Sequence, residues 1–148
     1  MVSVAAGMSL GGVVPTVHTI APFLVERALE QIKLDFGYQK LPGNLVTVGA
    51  SYDYGTLGCT HHCPADLNIL SNIPGIRLFV PGHEDEFLEL YSQNWNSDRL
   101  NYFRLSSTTN KVPLSVPVGS TLRVKQGSLA AVIVTGPLLD RKSTRLNS

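Results

Sequence analysis

Apolar residues in this chain fall into short runs separated by glycine- and proline-rich breaks, and the runs alternate between strand-like and helical periods. Residues 2–10 are small and apolar and read as the end of a tightly packed helix. Residues 13–20 are β-branched with Pro15 at the entry, which predicts a buried strand. Pro22 opens a helix, because proline suits the first turn. Phe23, Leu24, Ala28, Leu29, Ile32 and Phe36 recur there at helical spacing, with Glu26, Arg27, Glu30 and Lys33 between them, and Gly37 is expected to cap it. After a Leu41-Pro42-Gly43-Asn44 turn, residues 45–49 predict a second buried strand. Residues 65–73 predict a short helix stopped by Pro74-Gly75, and 76–80 a third strand ended by Pro81-Gly82. Residues 84–95 predict a helix whose acidic first turn complements its dipole, and 101–105 a fourth strand. Residues 106–127 are polar and turn-rich, with Pro113 and Pro117, and read as a linker. Residues 129–135 are a last apolar, strand-like run.

Strands alternating with helices imply an α/β fold: a mainly parallel sheet with helices on both faces. Ligands of such sheets sit at the carboxyl ends of the strands. Three loops fall on that edge: residues 21–23, residues 55–64 and residues 81–83. Arg104 closes the fourth strand beside them.

The loop Gly55-Thr56-Leu57-Gly58-Cys59-Thr60-His61-His62-Cys63-Pro64 carries the densest chemistry. Spacing alone leaves open a plain surface loop. A zinc site would need four converging ligands. Cys59 and Cys63, with His61 and His62 between them, are too close in sequence to turn all four side chains to one point, and no second Cys/His pair exists. The two cysteines are expected to be packing groups and no metal is expected. A Cys–His nucleophile pair lacks an evident orienting group. Phe23 is either a core aromatic or a platform for a flat heterocycle. Arg104, in an apolar strand, needs a partner, either an internal carboxylate or a bound anion. No Gly-rich phosphate loop is present.

Composition narrows the class. A chain of 148 residues with 43% hydrophobic and 16% charged residues suffices for one domain with a sizeable core. A net charge of +1 gives no electrostatic reason to expect nucleic acid. No run approaches a membrane span, no basic n-region marks a signal peptide, and two cysteines make no disulfide framework, so a reducing cytoplasm is expected. Residues 140–148, Asp-Arg-Lys-Ser-Thr-Arg-Leu-Asn-Ser, resemble a translated sequencing adapter and are set apart from fold reasoning. Without that stretch's three basic and one acidic residues the net charge becomes −1.

Taken in order, the motifs resemble the transketolase family in its pyrimidine-binding domain. Ala5-Ala6-Gly7-Met8, Pro22-Phe23-Leu24, Glu26-Arg27-Ala28 and Gln31-Ile32 are similar to the first block of that domain. Gly58-Cys59-Thr60-His61-His62 resembles the family's G-P-T-H-Q loop. Asp66-Leu67, Ile73-Pro74-Gly75, Val80-Pro81 and Glu86 resemble the family's motifs downstream of that loop, and Tyr102-Phe103-Arg104-Leu105 its closing strand. The resemblance covers residues 1–105, leaves 106–127 as linker, and makes 128–139 the first strand of a C-terminal domain. The Thr-His-His form is more similar to the split, small-chain members than to the long single-chain enzyme.

The resemblance implies the three-layer thiamine-diphosphate-binding fold and ketol transfer between sugars or sugar phosphates. It implies that Phe23 stacks on the cofactor's aminopyrimidine, that His61 is catalytic and faces the substrate, and that Arg104 grips a substrate phosphate. His62 stands where the family has Gln and Leu57 where many members are acidic, so both are expected to bear on substrate choice. The family's activating glutamate would lie just before Met1, which is therefore expected to be internal to a longer protein. Magnesium and the diphosphate are expected on a diphosphate-binding partner domain or subunit, in a homo- or hetero-oligomer, and the chain alone is expected to be inactive. Deoxyxylulose-phosphate synthase and the β chain of a 2-oxo-acid dehydrogenase share the fold and stay open. So does a non-catalytic α/β module binding a partner or metal through the histidine loop.

Overall fold

The computed structural model describes residues 1–114 and 116–139. The adapter-like stretch 140–148 lies outside the described residues. Four strands, β1 (Thr16–Ile20), β2 (Gly43–Val48), β3 (Arg77–Phe79) and β4 (Leu100–Arg104), form one all-parallel sheet in the order β1-β2-β4-β3. Register pairs Val17 with Leu45 and Leu45 with Tyr102, and the next positions pair Val46 with Phe103.

Strand alternation sends these two sets to opposite faces. Val17, Leu45 and Tyr102 pack with Ala5, Leu24, Ile32, Phe36 and Leu70, contributed by helices and turns on one side. On the other, Val46, Phe79 and Phe103 meet Phe87, Leu90 and Tyr91 of α5 (Glu84–Asn94). Phe79 stacks on Phe103 at 4.8 Å, and Phe87 meets the same ring edge-on at 5.8 Å. The sheet is thus covered on both faces, as the alternation of strand and helix implied. Among the described residues no helix is long and apolar enough to cross a membrane.

The helix expected from residue 22 is broken. α2 (Ala21–Leu24) starts with proline in its first turn. The chain then turns over residues 25–28 and resumes as α3 (Leu29–Gln31), which runs into a wide π-helical segment, Ile32–Tyr38. The amides of Glu26 and Arg27 share the Pro22 carbonyl, at 3.2 and 3.1 Å. Apolar spacing reports which face is buried, and that face survives the break, since Leu24, Val25, Ile32 and Phe36 are all buried. Gly37 is not a cap. It lies inside the π segment, where a Cβ would stand 2.7 Å from Ile73 Cγ2, so glycine permits the close approach of the Ile73 turn.

α1 (Val2–Leu10) buries Val2, Ala5, Ala6 and Ser9 and leaves Val4 and Leu10 at 67% and 64% exposure. α4 (Asp66–Leu70) is shorter than the spacing predicts. Two further differences fall at the end of the chain. Residues 106–110 are fastened to the sheet edge, with the Asn110 amide on the Gly82 carbonyl at 2.7 Å and Ser106 Oγ on Asp53 Oδ1 at 3.1 Å. The strand expected over 129–135 does not form here, and Leu129 and Ile133 are 100% and 90% exposed. A strand exists only through a neighbour's hydrogen bonds, and no strand of this sheet is paired with it. Beyond it Gly136–Leu138 make one 3₁₀ turn in which Pro137 is buried.

Candidate functional site

Sequence local to the strand ends builds the site. β1 runs directly into α2, because Ile20 is extended (φ −71°, ψ 142°) and Pro22 starts the helix, and this places Phe23 at the carboxyl edge. Just past the end of β2 stands Gly49, whose φ is +77° and where a Cβ would overlap the Tyr54 ring. Glycine is required there on both counts. The chain then makes two 3₁₀ turns, Gly55–Leu57 and Cys59–His61, and reaches α4.

Folding brings Phe23 and His61 together. Their ring centroids are 5.3 Å apart at an interplanar angle of 60°. Tyr54 approaches the His61 ring edge-on at 6.4 Å, and Thr60 Oγ1 lies 2.9 Å from His61 Nδ1. The Arg27 guanidinium covers one part of the Phe23 ring, 4.1 Å from its centroid. Phe23 is half-buried and also lines an open cavity of about 390 Å³ whose walls include Val2, Leu24 and Ala28, with Ser3, Thr19 and Gln31 as its polar groups. No carboxylate is among the side chains lining it.

His62 turns elsewhere. Tyr52 meets its ring at 5.1 Å and 74°, and its Nε2 is buried with no hydrogen-bond partner among the described residues. The two cysteines separate: Cys59 is exposed, whereas Cys63 is buried with its Sγ donating to Glu26 Oε1 at 3.6 Å. Burial, then the charges of Glu26 and Asp66, push the Cys63 thiol up to about 12, so it is a protonated packing group at neutral pH. Among the described residues no cluster of three His, Cys, Asp or Glu could hold a metal ion.

Arg104 belongs to an adjoining cluster. Its Nε donates to Asp66 Oδ2 at 2.6 Å and its Nη2 to Ser51 Oγ at 2.7 Å. Asp66 is fully buried and the Arg104 side chain is 12% exposed. Tyr102 Oη donates to the same Asp66 Oδ2 at 2.8 Å and lies 2.8 Å from Thr47 Oγ1. Burial, and then the Asp66 charge, push the Tyr102 phenol well above its ordinary range. Of the two partners the sequence left open for Arg104, the structure supplies the carboxylate. Tyr52, Tyr54 and Ser51 had no place in the sequence reading, and Asp66 figured only in a family motif with no function attached. The apolar strand around Arg104 signalled that a counter-charge must exist but could not say which one.

The sequence and the fold have relatives. The chain matches the family model for transketolase, pyrimidine binding domain, over residues 1–111. A Rhodococcoides fascians protein described as an uncharacterized 33.6 kDa protein in the fasciation locus is 41% identical over 140 residues, 95% of this chain and 45% of that protein. One of the subunits of the Actinobacillus succinogenes apulose-4-phosphate transketolase is 33% identical over 105 residues, 71% of this chain and 34% of that subunit. The 1-deoxy-D-xylulose-5-phosphate synthase of Citrobacter koseri is 32% identical over 144 residues, 93% of this chain and 23% of the enzyme. A split-gene transketolase solved as an inactive β4 tetramer superposes with a TM-score of 0.63 at 25% identity, covering 81% of this chain and 37% of that one. Campylobacter jejuni transketolase shares the fold, with a TM-score of 0.68 at 21% identity over 82% of this chain and 19% of its own. The chain therefore spans less than half the length of each of these relatives.

Proposed function

This chain belongs to the transketolase pyrimidine-binding domain family, and on that premise we propose that it holds the aminopyrimidine of thiamine diphosphate in an enzyme that transfers a ketol unit between sugars or sugar phosphates. The single observation that carries this reading is the approach of Phe23 to His61, 5.3 Å at the carboxyl edge of the sheet. It brings an aromatic ring that lines the cavity into contact with a proton-carrying ring at the same sheet edge.

The cavity beside Phe23 fits half of the cofactor. An aminopyrimidine is flat and carries ring nitrogens and an amine. Phe23, Leu24 and Val2 offer apolar walls, and Thr19, Ser3 and Gln31 offer hydrogen-bonding atoms. The lining has no carboxylate to activate the ring, and no metal cluster for a diphosphate occurs among the described residues. The reading assigns the diphosphate and its magnesium to a diphosphate-binding domain or subunit, and the activating carboxylate to a residue that this chain does not carry. Thiamine diphosphate, when bound, supplies the carbon–carbon bond chemistry. Phe23 orients the ring and keeps water from one side of it. His61 moves a proton to or from a substrate oxygen, with Thr60 on its Nδ1. His62 and Leu57 shape the sugar's side of the loop.

The exposed apolar side of α1, with Val4, Met8 and Leu10, supports a docking face for the partner, since a helix with no charged residue rarely faces water. We place the assembly in the cytoplasm. The match of the synthase relatives to 93% of this chain supports a second reading, deoxyxylulose-phosphate synthesis, on the same site.

Saturation-transfer NMR with thiamine on the 148-residue chain tests the reading. The aminopyrimidine protons are expected to receive saturation in the wild type and to lose it in Phe23→Ala. Equal transfer in both would overturn the site.

A further inference from the structure

We infer that Arg104 and Asp66 form a positioning pair that clamps both ends of the histidine loop, and that Arg104 does not itself grip substrate phosphate. The inference deepens the proposed function, since it takes the loop after β2 as the one that faces substrate.

One guanidinium reaches two points far apart in the chain. Its Nη2 holds Ser51 Oγ, where the loop leaves the sheet, and its Nε holds Asp66 Oδ2, where the loop enters α4. Just inside those contacts the backbone closes on itself. The Cys63 amide donates to the Ser51 carbonyl at 2.9 Å, as part of an antiparallel bridge between the two residues. The planar fork of arginine can hold both anchors at once, which the single ammonium of lysine does less well. Tyr102, at 0% exposure in the middle of the sheet, fixes the carboxylate from below. The loop that carries His61 and His62 is thereby referenced to β4, a strand paired on both sides.

The same contacts argue against an anion grip. Asp66 is fully buried, and its Oδ1 has no hydrogen-bond partner among the described residues. If Arg104 turned to a phosphate, that buried charge would be left to the Tyr102 hydroxyl alone, and an uncompensated buried carboxylate is strongly disfavoured. A guanidinium already neutralised at 2.6 Å offers a second anion little net attraction.

Native-state hydrogen exchange on the 148-residue chain reads the clamp. In Arg104→Lys the Asp66 charge stays matched but Ser51 is released. The amides of His61 and Cys63, which bond Gly58 and Ser51, are expected to exchange about tenfold faster while β1–β2 amides keep wild-type protection. Asp66→Asn/Arg104→Gln, which removes both charges, is expected to show the same selective loosening and serves if the lysine variant does not fold. Unchanged loop protection in whichever variant folds would overturn the clamp, because a merely stabilising pair would loosen the whole sheet or nothing. Inorganic phosphate on the wild type is the second arm. The Arg104 Nε–H resonance is expected to stay in place, and a shift saturating near about 10 mM would make Arg104 an anion grip instead. Neither arm reads thiamine, so failure of the clamp leaves the pyrimidine site standing, and the reverse.

Discussion

Phe23 and His61 come from different crossovers of the sheet, yet their rings lie 5.3 Å apart and tilted by 60°. The contact exists because β1 and β2 are adjacent and parallel, so the turns that follow them emerge side by side. A pyrimidine ring on Phe23 would therefore lie next to the imidazole proposed to face substrate. Phe23→Ala should weaken thiamine binding roughly tenfold, the equivalent of about 1.4 kcal/mol of lost aromatic contact. Titration calorimetry of the chain with its partner domain restored would measure it.

In that restored assembly, His61→Ala should lower kcat by about 10²–10⁴-fold, the range for losing a positioned proton carrier. KM should change less. Steady-state kinetics with wild-type circular dichroism as a control would separate this from misfolding.

His62 carries a buried Nε2 without a partner among the described residues and packs on Tyr52. His62→Gln, the residue common in the family, should change the ratio of kcat/KM between acceptor sugars by roughly tenfold, the scale of one buried hydrogen bond gained or lost. A panel of aldoses and aldose phosphates assayed in competition would show it.

Gly49 holds φ +77° against the Tyr54 ring. Gly49→Ala should destabilise the chain by roughly 1–3 kcal/mol through strain and overlap. Urea unfolding would report it, and the Tyr54–His61 contact should loosen with it.

Burial pushes the Cys63 thiol up to about 12 in the folded chain from an ordinary 9.0. The folded state thus holds its proton more tightly than the unfolded one. The stabilisation is complete below about pH 9 and is lost as pH rises from there to about 12. Urea midpoints should fall over that window, and Cys63→Ala should flatten the fall. At about pH 8 iodoacetamide should modify the exposed Cys59 and spare Cys63. Mass spectrometry of the digested adduct would tell them apart.

Much of the fold was legible because its causes are local. The β-branched runs became β1 and β2, the acidic first turn became the start of α5, and Pro22 opened α2 where proline fits. The ordered motifs pointed to the family without any knowledge of the fold. Legibility failed where a neighbour far along the chain decides. Gly37 read as a cap because glycine often ends helices, but its reason is Ile73 pressing on it. The run at 129–135 read as a strand because it is apolar and β-branched, yet pairing is a property of two strands.

The candidate site divides the same way. Residue types and order alone determined that Phe23, His61, His62 and Arg104 would gather at one edge of a parallel sheet, since periodicity sets the elements and crossover rules set the edge. Only the tertiary structure decided that His61 turns to Phe23, that His62 turns away to Tyr52, and that Arg104 is matched by Asp66. A side chain's partner depends on distances across the fold. Charge and burial must balance there among residues that sequence spacing never places side by side.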